Sequence, residues 1–547
     1  MSAMAPLTFG QQADAYLEWA HATQYHWVSP HLSSQVDVLS DDGHSIKPHR
    51  VAHGTLPAAN RWAELAHAIA PMNRRPNIPQ EDKEGGSGKR GTVVGLIDSG
   101  IGRAWLAQYT VVKDRITLPS TTVMHWDMDL STPLPHMPRV SHGAHVLSWL
   151  AGQPPYPGGG FDADIASHCR LILVNLPRDA VDDPSGRWLG RYVLDGLDYT
   201  IAQAAAIHAA RLVINISWGP QTGPHDGSSL LERALAQRIT QAWDEHRLAV
   251  DMVLAAGNSR EGRAHAQFDA NTGCQDLGWV VPPASKAPSF LELWWPPGTD
   301  ISQVQVTVTA PSGHILPLVG QGFMANPRAH AVGVVVPHPG VHDNTRPMAL
   351  LALNPTGHSQ RAAPHGRWRI GVAGVAGATG LVHVYVARQS ENLGGRYRGP
   401  DSWLDDPTYD QQRFRRHPGP THNGRLVTRE GTLSGLTGVQ HTQAHVAAGA
   451  TLWDKQATRY SSAGPAAGGA PQRPDWALPT DETAHLSGVL GAGSRPGAML
   501  RMTGTSMAAP QLARMLANGT PPPRTLPHDQ RIGYGALSSG WTSRHRA

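Results

Sequence analysis

Four residues of this 547-residue chain could together move an acyl group. Asp98 ends the apolar run in "TVVGLIDSG", His142 opens "HGAHVLSWLAG", Asn258 closes "VLAAGNS", and Ser506 stands in "GTSMAAP". Acyl transfer needs a nucleophile, a base that takes its proton, an acid that orients the base, and donors aimed at the oxyanion. Serine, histidine, aspartate and asparagine can fill those four roles. After Ser506, Met507, Leu512 and Met515 recur at helical spacing, with Pro510 in the first turn and Gly519 at the end. That pattern puts Ser506 at the positive end of a helix, beside free backbone N–H groups. Taken alone, such a serine reads as a helix cap, and the aspartate and "AAGNS" read as turn formers. The chemistry therefore depends on a framework that brings the four together.

An α/β framework is legible. "TVVGLIDSG", "RLILVNLP", "RLVINISWG" and "LAVDMVLAAGNS" are short apolar runs that close on turn residues, as strands buried on both faces do. Helical stretches, "RYVLDGLDYTIAQAAAIHAA" and "SSLLERALAQRITQAWDEH", lie between them. This rhythm predicts a parallel sheet covered by helices on both faces, with ligands at the carboxyl edge of its strands. After Ser259 the pattern changes to period-two or short apolar runs such as "SQVQVTVTA" and "GLVHVYVAR", separated by Pro, Gly and Asn. These read as an inserted antiparallel β-sandwich, jelly-roll-like in architecture. The expected organisation is an extension and linker over 1–90 with a helix around Gln11 to Thr23, and an α/β domain over 91–277. The sandwich follows over 278–390, then the rest of the α/β domain over 391–525 and a tail over 526–547.

The motifs resemble those of the subtilisin-like serine proteases. "LIDSGIG" is similar to that family's aspartate motif, "HGAHVLSWLAG" to its histidine motif, and "GTSMAAP" to its serine motif. "NISWG" resembles the segment that pairs with substrate backbone, and "AAGNS" the one carrying the oxyanion asparagine. "RYSSAGP" and "RPDWALPTDE" resemble the run before the serine. The chain order Asp, His, Ser is that of subtilisin. The resemblance covers roughly 91–275 and 430–520. It implies that Ser506 attacks the scissile carbonyl, His142 takes its proton, Asp98 orients the imidazole, and Asn258 with the Ser506 N–H holds the oxyanion. It also implies that Ser217, Trp218 and Gly219 line the substrate strand, with Ala256 and Gly257 walling the pocket. Ala144 departs from the family's usual threonine, and the interval from Asn258 to Ser506 is long because the β-rich stretch lies within it.

The expected activity is thus that of a serine endopeptidase acting on protein or peptide through an acyl-enzyme. A catalytically silent binding protein on the same scaffold and a hydrolase of small amides or esters are the rivals. "DSG" occurs once, so an aspartic protease would need a second copy from a partner. His142 and His145 lack the third ligand and intervening Glu of a zinc site, and His145 reads as a helix-packing residue. Trp294 and Trp295 read as sandwich core rather than a sugar platform, with room for one of them to face out, and Asp226 as a loop carboxylate facing water rather than a selector of basic residues. No cofactor is required and no metal ligand is assigned. A structural calcium ion suits the family, yet no dense acidic loop identifies a site.

Bulk properties agree with a globular protein. The composition is 40% hydrophobic, which suffices for a large core, and the net charge of +4 gives no reason to invoke nucleic acid. Two cysteines, Cys169 and Cys274, exclude a disulfide framework and leave one bridge or two buried thiols. Neither a secretory signal nor a run long enough to span a membrane is visible, so the expected location is the cytoplasm. The β insertion is expected to recognise substrate, cover the cleft or meet a partner.

Overall fold

The computed structural model describes residues 39–41, 46–48, 91–102, 123–128, 141–152, 164–177, 189–326, 328–339, 345–357, 362–390, 399–407, 441–464, 472–495 and 498–537. The expected helix around Gln11 to Thr23 and most of the linker lie outside these residues. Seven strands form one sheet. They are β1 (Thr92–Asp98), β2 (Val123–Asp127), β3 (Arg170–Asn175), β4 (Arg211–Ile216), β5 (Ala249–Ala255), β6 (Gln443–Thr451) and β7 (Trp476–Asp481). Their order is β7-β6-β5-β4-β1-β3-β2, and every neighbouring pair is parallel. A parallel sheet of this kind has no solvated face, which is why its inner strands are apolar almost throughout.

Each face of the sheet has its own core, and alternation along β1 divides the residues between them. Val93 and Ile97 join the side chains of α2 (Leu189–Ala206) and α3 (Leu230–His246), among them Leu194, Leu197, Leu235 and Ile239. Val94 and Leu96 point the other way, to α1 (His142–Leu150) and α4 (Ala508–Ala517), where they meet Leu147, Trp149, Leu512 and Leu516. Helix α3 is capped by Ser229, whose Oγ accepts the Glu232 N–H at 3.1 Å. Helix α4 ends in a Schellman pattern: the Gly519 N–H reaches the Leu516 carbonyl at 3.0 Å, and the Thr520 N–H reaches the Met515 carbonyl at 3.0 Å. A short hairpin, Leu39–Asp41 with Ile46–Pro48, lies beside α2 and α3.

Between β5 and β6 the chain builds two antiparallel sheets. The six-stranded one runs Gly322–Asn326, Ala331–Pro339, Thr345–Leu353, Ser289–Trp294, Leu381–Val386, His265–Asp269. The five-stranded one runs Ile315–Val319, Gln305–Thr309, Gly366–Ala373, Gly273–Val281, Trp403–Asp405. They enclose a core that includes Trp279, Trp295, Trp368, Leu291, Leu293 and Val384. The strands thus extend from His265 to Asp405, beyond the 278–390 read from the sequence on both sides. Trp294 does not join that core. Period-two alternation turns it to the opposite face of its sheet, where it is still buried and Arg346 stands over its ring at 5.7 Å. Cys169 and Cys274 are both free and buried.

Candidate active site

Because all seven strands are parallel, their carboxyl ends share one edge, and Asp98, Ser217 and Asn258 sit at or just beyond the ends of β1, β4 and β5. Helix α1 is locked to the end of β1. Ser141 caps it, with its Oγ accepting the Ala144 N–H at 3.0 Å and donating to the Gly100 carbonyl at 2.7 Å. The Gly143 N–H donates to the Ser99 carbonyl at 2.9 Å. A Cβ at Gly143 would stand 2.4 Å from that carbonyl oxygen, so only glycine permits the approach. His142, the first residue of the helix, is thereby set against Asp98.

His142 Nδ1–H donates to Asp98 Oδ1 at 2.7 Å. The same oxygen accepts the Ser99 N–H at 2.7 Å and the Trp218 indole N–H at 3.2 Å. Asp98 is fully buried, and these three donors all meet its Oδ1. The His142 side chain retains 13% exposure, so the imidazole faces the edge of the sheet where a substrate can reach it. One turn further along, His145 is fully buried and makes a 3.1 Å hydrogen bond through Nε2 to the Val489 carbonyl. Burial pushes its pKa down to about 4, with the neighbouring His142 acting in the same direction, so it stays neutral at ordinary pH.

The serine does not cap a helix. Thr505–Met507 form a 3₁₀ turn, and the α-helix starts only at Ala508, with no side-chain cap at either start. Ser506 Oγ–H instead donates to the Ser217 carbonyl at 3.1 Å, and Ser217 Oγ–H donates back to the Ser506 carbonyl at 3.2 Å. Among the described residues His142 is bonded to Asp98, with Trp218 beside its ring, and the serine hydroxyl is held by Ser217. Asn258 is exposed, and its Oδ1 accepts the Thr505 N–H at 2.9 Å and the Thr505 hydroxyl at 3.0 Å. That fixes which end of the amide faces the turn and leaves Nδ2 as its donor end. Gly257 N–H is committed to Thr505 Oγ1 at 2.9 Å, and Ala256 is buried with its N–H on the Ala447 carbonyl. Gly219 follows Trp218, half-buried, on the loop leading to α3.

Two residues outside the sequence reading enter here. Tyr460 OH accepts the Gly504 N–H at 3.0 Å and donates to Thr480 Oγ1 at 2.6 Å, so it braces the turn before the serine. Burial and the nearby Asp481 push its phenol up to about 12. Arg346, from the β insertion, donates to Asp226 Oδ2 and Ser228 Oγ at the far end of the loop that begins with Ser217. Asp226 therefore does not face water; it is held in a largely buried ion pair. Among the described residues no group of three or more His, Cys, Asp or Glu side chains is placed to hold a metal ion, and no helix is long and apolar enough to cross a membrane.

An aspartate-bound imidazole and a serine hydroxyl lie at one sheet edge, with an amide fixed beside the serine turn, and these are the groups that acyl transfer by a serine nucleophile requires. Residues 89–288 match the model of the Subtilase family. No curated protein matches the chain in sequence. Among solved structures, the CspB protease of Clostridium perfringens is similar over 82% of this chain and 92% of its own, at 19% identity and a TM-score of 0.55. That likeness is one of fold. MycP1 from Mycobacterium smegmatis covers 82% of this chain and 78% of its own, at 13% identity and a TM-score of 0.31. The PatG macrocyclase in complex with peptide covers 82% and 88%, at 13% identity and 0.30.

Proposed function

We propose that the chain is a serine endopeptidase that cleaves peptide bonds through an acyl-enzyme on Ser506. The observation that carries this reading is the 2.7 Å bond from His142 Nδ1 to the buried Asp98, at the same sheet edge as the Ser506 turn. That bond fixes an N–H at Nδ1, which in the neutral imidazole makes Nε2 the basic nitrogen that a general base needs. In the reaction Ser506 Oγ–H turns from the Ser217 carbonyl to His142 Nε2, and Oγ attacks the scissile carbonyl. The oxyanion is received by the Ser506 N–H and Asn258 Nδ2. His142 then gives its proton to the leaving amine, and water repeats the sequence to release the acid. Ser217, Trp218, Gly219, Ala256 and Gly257 border the path of the substrate. The β insertion reaches the substrate side of the molecule through Arg346 and the loop it holds, which supports a part in recognition. The hairpin beside α2 and α3 gives the extension a place on the folded domain, in keeping with a pro-region.

The test is digestion of a mixed peptide library by wild type, Ser506→Ala and His142→Ala. New termini in the wild-type digest alone support the endopeptidase. A folded wild type that cleaves no peptide yet hydrolyses small esters would assign the site to a small-molecule hydrolase. Inertness towards both would assign it to a binding protein.

A further inference from the structure

The sequence places Trp218 on the wall of a substrate path, and the structure gives its indole a second task. Nε1–H donates to Asp98 Oδ1 at 3.2 Å, and the ring stands 5.4 Å from the His142 imidazole at 59°. Three donors converge on that one oxygen: His142 Nδ1–H, the Ser99 N–H and the Trp218 indole. Asp98 Oδ2 is buried without a partner among the described residues, so the carboxylate is held through Oδ1 alone. A carboxylate held by one oxygen can swing about its Cβ–Cγ bond unless the donors on that oxygen come from fixed directions. The backbone of Ser99 is one such donor. Trp218 is the side-chain donor that belongs to neither member of the His–Asp pair.

The loop carrying Trp218 is itself anchored on both sides of the indole. Ser217 is tied to the Ser506 turn and to Asn215, whose Nδ2 donates to Ser217 Oγ at 2.9 Å. Further along, Asp226 and Ser228 are gripped by Arg346 of the insertion, and His225 stands 4.7 Å from the Tyr385 ring of the same insertion. The indole is therefore presented by a loop fixed from both domains.

We propose that Trp218 is a positioning residue for proton transfer: its indole N–H holds the Asp98 carboxylate in the orientation that receives His142, and takes up part of that carboxylate's charge. The proposal rests on the reading of Asp98 and His142 as orienting acid and base. A hydrogen bond from a neutral donor draws negative charge from the carboxylate and leaves less to stabilise the imidazolium. Deleting the donor therefore makes His142 more basic and Asp98 less well held. The titratable groups facing His142 among the described residues are Asp98 on β1 and His145 on α1. The Ser217–Gly219 stretch and the Ser506 turn bring none, and His145 stays neutral above about pH 4.

The experiment is Trp218→Phe, which keeps a ring and removes the N–H. Its first readout is independent of turnover: the low-field proton resonance of His142 Nδ1–H, assigned by its loss in His142→Gln and followed through a pH titration. The variant should titrate about half a pH unit above wild type, with the acid limb of kcat/KM moving equally, kcat falling about tenfold and KM within about twofold. Trp218→Leu, which removes the ring as well, should give the same displacement of the titration. A titration unchanged from wild type in both variants, or a rise in KM alone, would overturn the proposal and leave Trp218 as a wall of the substrate path. Absence of an Asp98-dependent resonance in wild type would also overturn it. A displaced titration in a protein that cleaves nothing would uphold the positioning contact and remove the peptidase reading instead.

Discussion

Replacing Gly504 by alanine tests how Asn258, the proposed oxyanion donor, is aimed. Gly504 lies two residues before the serine at φ 121° and ψ 153°, a region that residues with a Cβ essentially avoid, at a cost of about 1–3 kcal/mol when forced into it. A Cβ built there stands 3.1 Å from Asn258 Nδ2, 3.6 Å from Oδ1 and 3.7 Å from Cγ. Ordinary contact begins near 3.4 Å, so the Nδ2 end must retreat by a few tenths of an ångström. It cannot do so freely, because Thr505 holds Oδ1 with two hydrogen bonds of 2.9 and 3.0 Å. The amide therefore rotates off line or gives up one of them. Loss of a whole oxyanion donor costs about 100- to 1,000-fold in kcat, the range established for subtilisin. A donor displaced rather than deleted should cost about 10- to 100-fold, with KM little changed. The assay is acylation by an activated ester, read as a burst, beside steady-state cleavage of a peptide anilide. Asn258→Ala is the control, and the double variant should lose little beyond the larger single effect, since both act on one donor. A folded Gly504→Ala that acylates at the wild-type rate would refute the reasoning, as would losses that multiply in the double variant.

Arg346→Met removes the cation from a pair in which both side chains are largely buried, and should destabilise the protein by about 3 kcal/mol in denaturant unfolding. Adding Asp226→Asn should recover part of that loss, whereas a change within error in the single variant would show that the pair is dispensable. His145 predicts a pH dependence of stability. Above pH 6.5 it is neutral both folded and unfolded; between 6.5 and about 4 only the unfolded chain takes up the proton, so stability falls as the pH drops, by about 3 kcal/mol in full. His145→Gln should flatten that part of the stability curve, and an unchanged slope would contradict the assignment.

The α/β framework could be read from the sequence because strands buried on both faces must be continuous apolar runs, and "TVVGLID", "RLVINI" and "AVDMVLA" have few other uses. The edges of the insertion were harder to place. "HAQFD" and "WLD" are short and partly polar, and they become strands only by pairing with Leu381–Val386 and Gly273–Val281. For the serine, local pattern alone offered a second reading. Helical spacing after Ser506 implied a cap, but Gly504 and the mutual bonds with Ser217 set a 3₁₀ turn that holds the side chain away from the helix N–H groups. Asp226 was misread, and the Trp218 bond to Asp98 went unseen, for one reason. Their partners, Arg346 and Asp98, each lie 120 residues away in the chain, and no local rule connects them. His145, by contrast, was legible as a packing residue, since its spacing within an apolar helix already turned it inward.

In the proposed mechanism Ser506 is a nucleophile activated by the Asp98–His142 pair. Fluorophosphonate labelling of wild type, Ser506→Ala and His142→Ala, followed by mapping of the tagged peptide, tests it most directly. A single adduct on Ser506 is expected in wild type, none in Ser506→Ala, and a rate reduced by orders of magnitude in His142→Ala. An adduct on another residue, or a well-folded wild type that takes up no label, would contradict it.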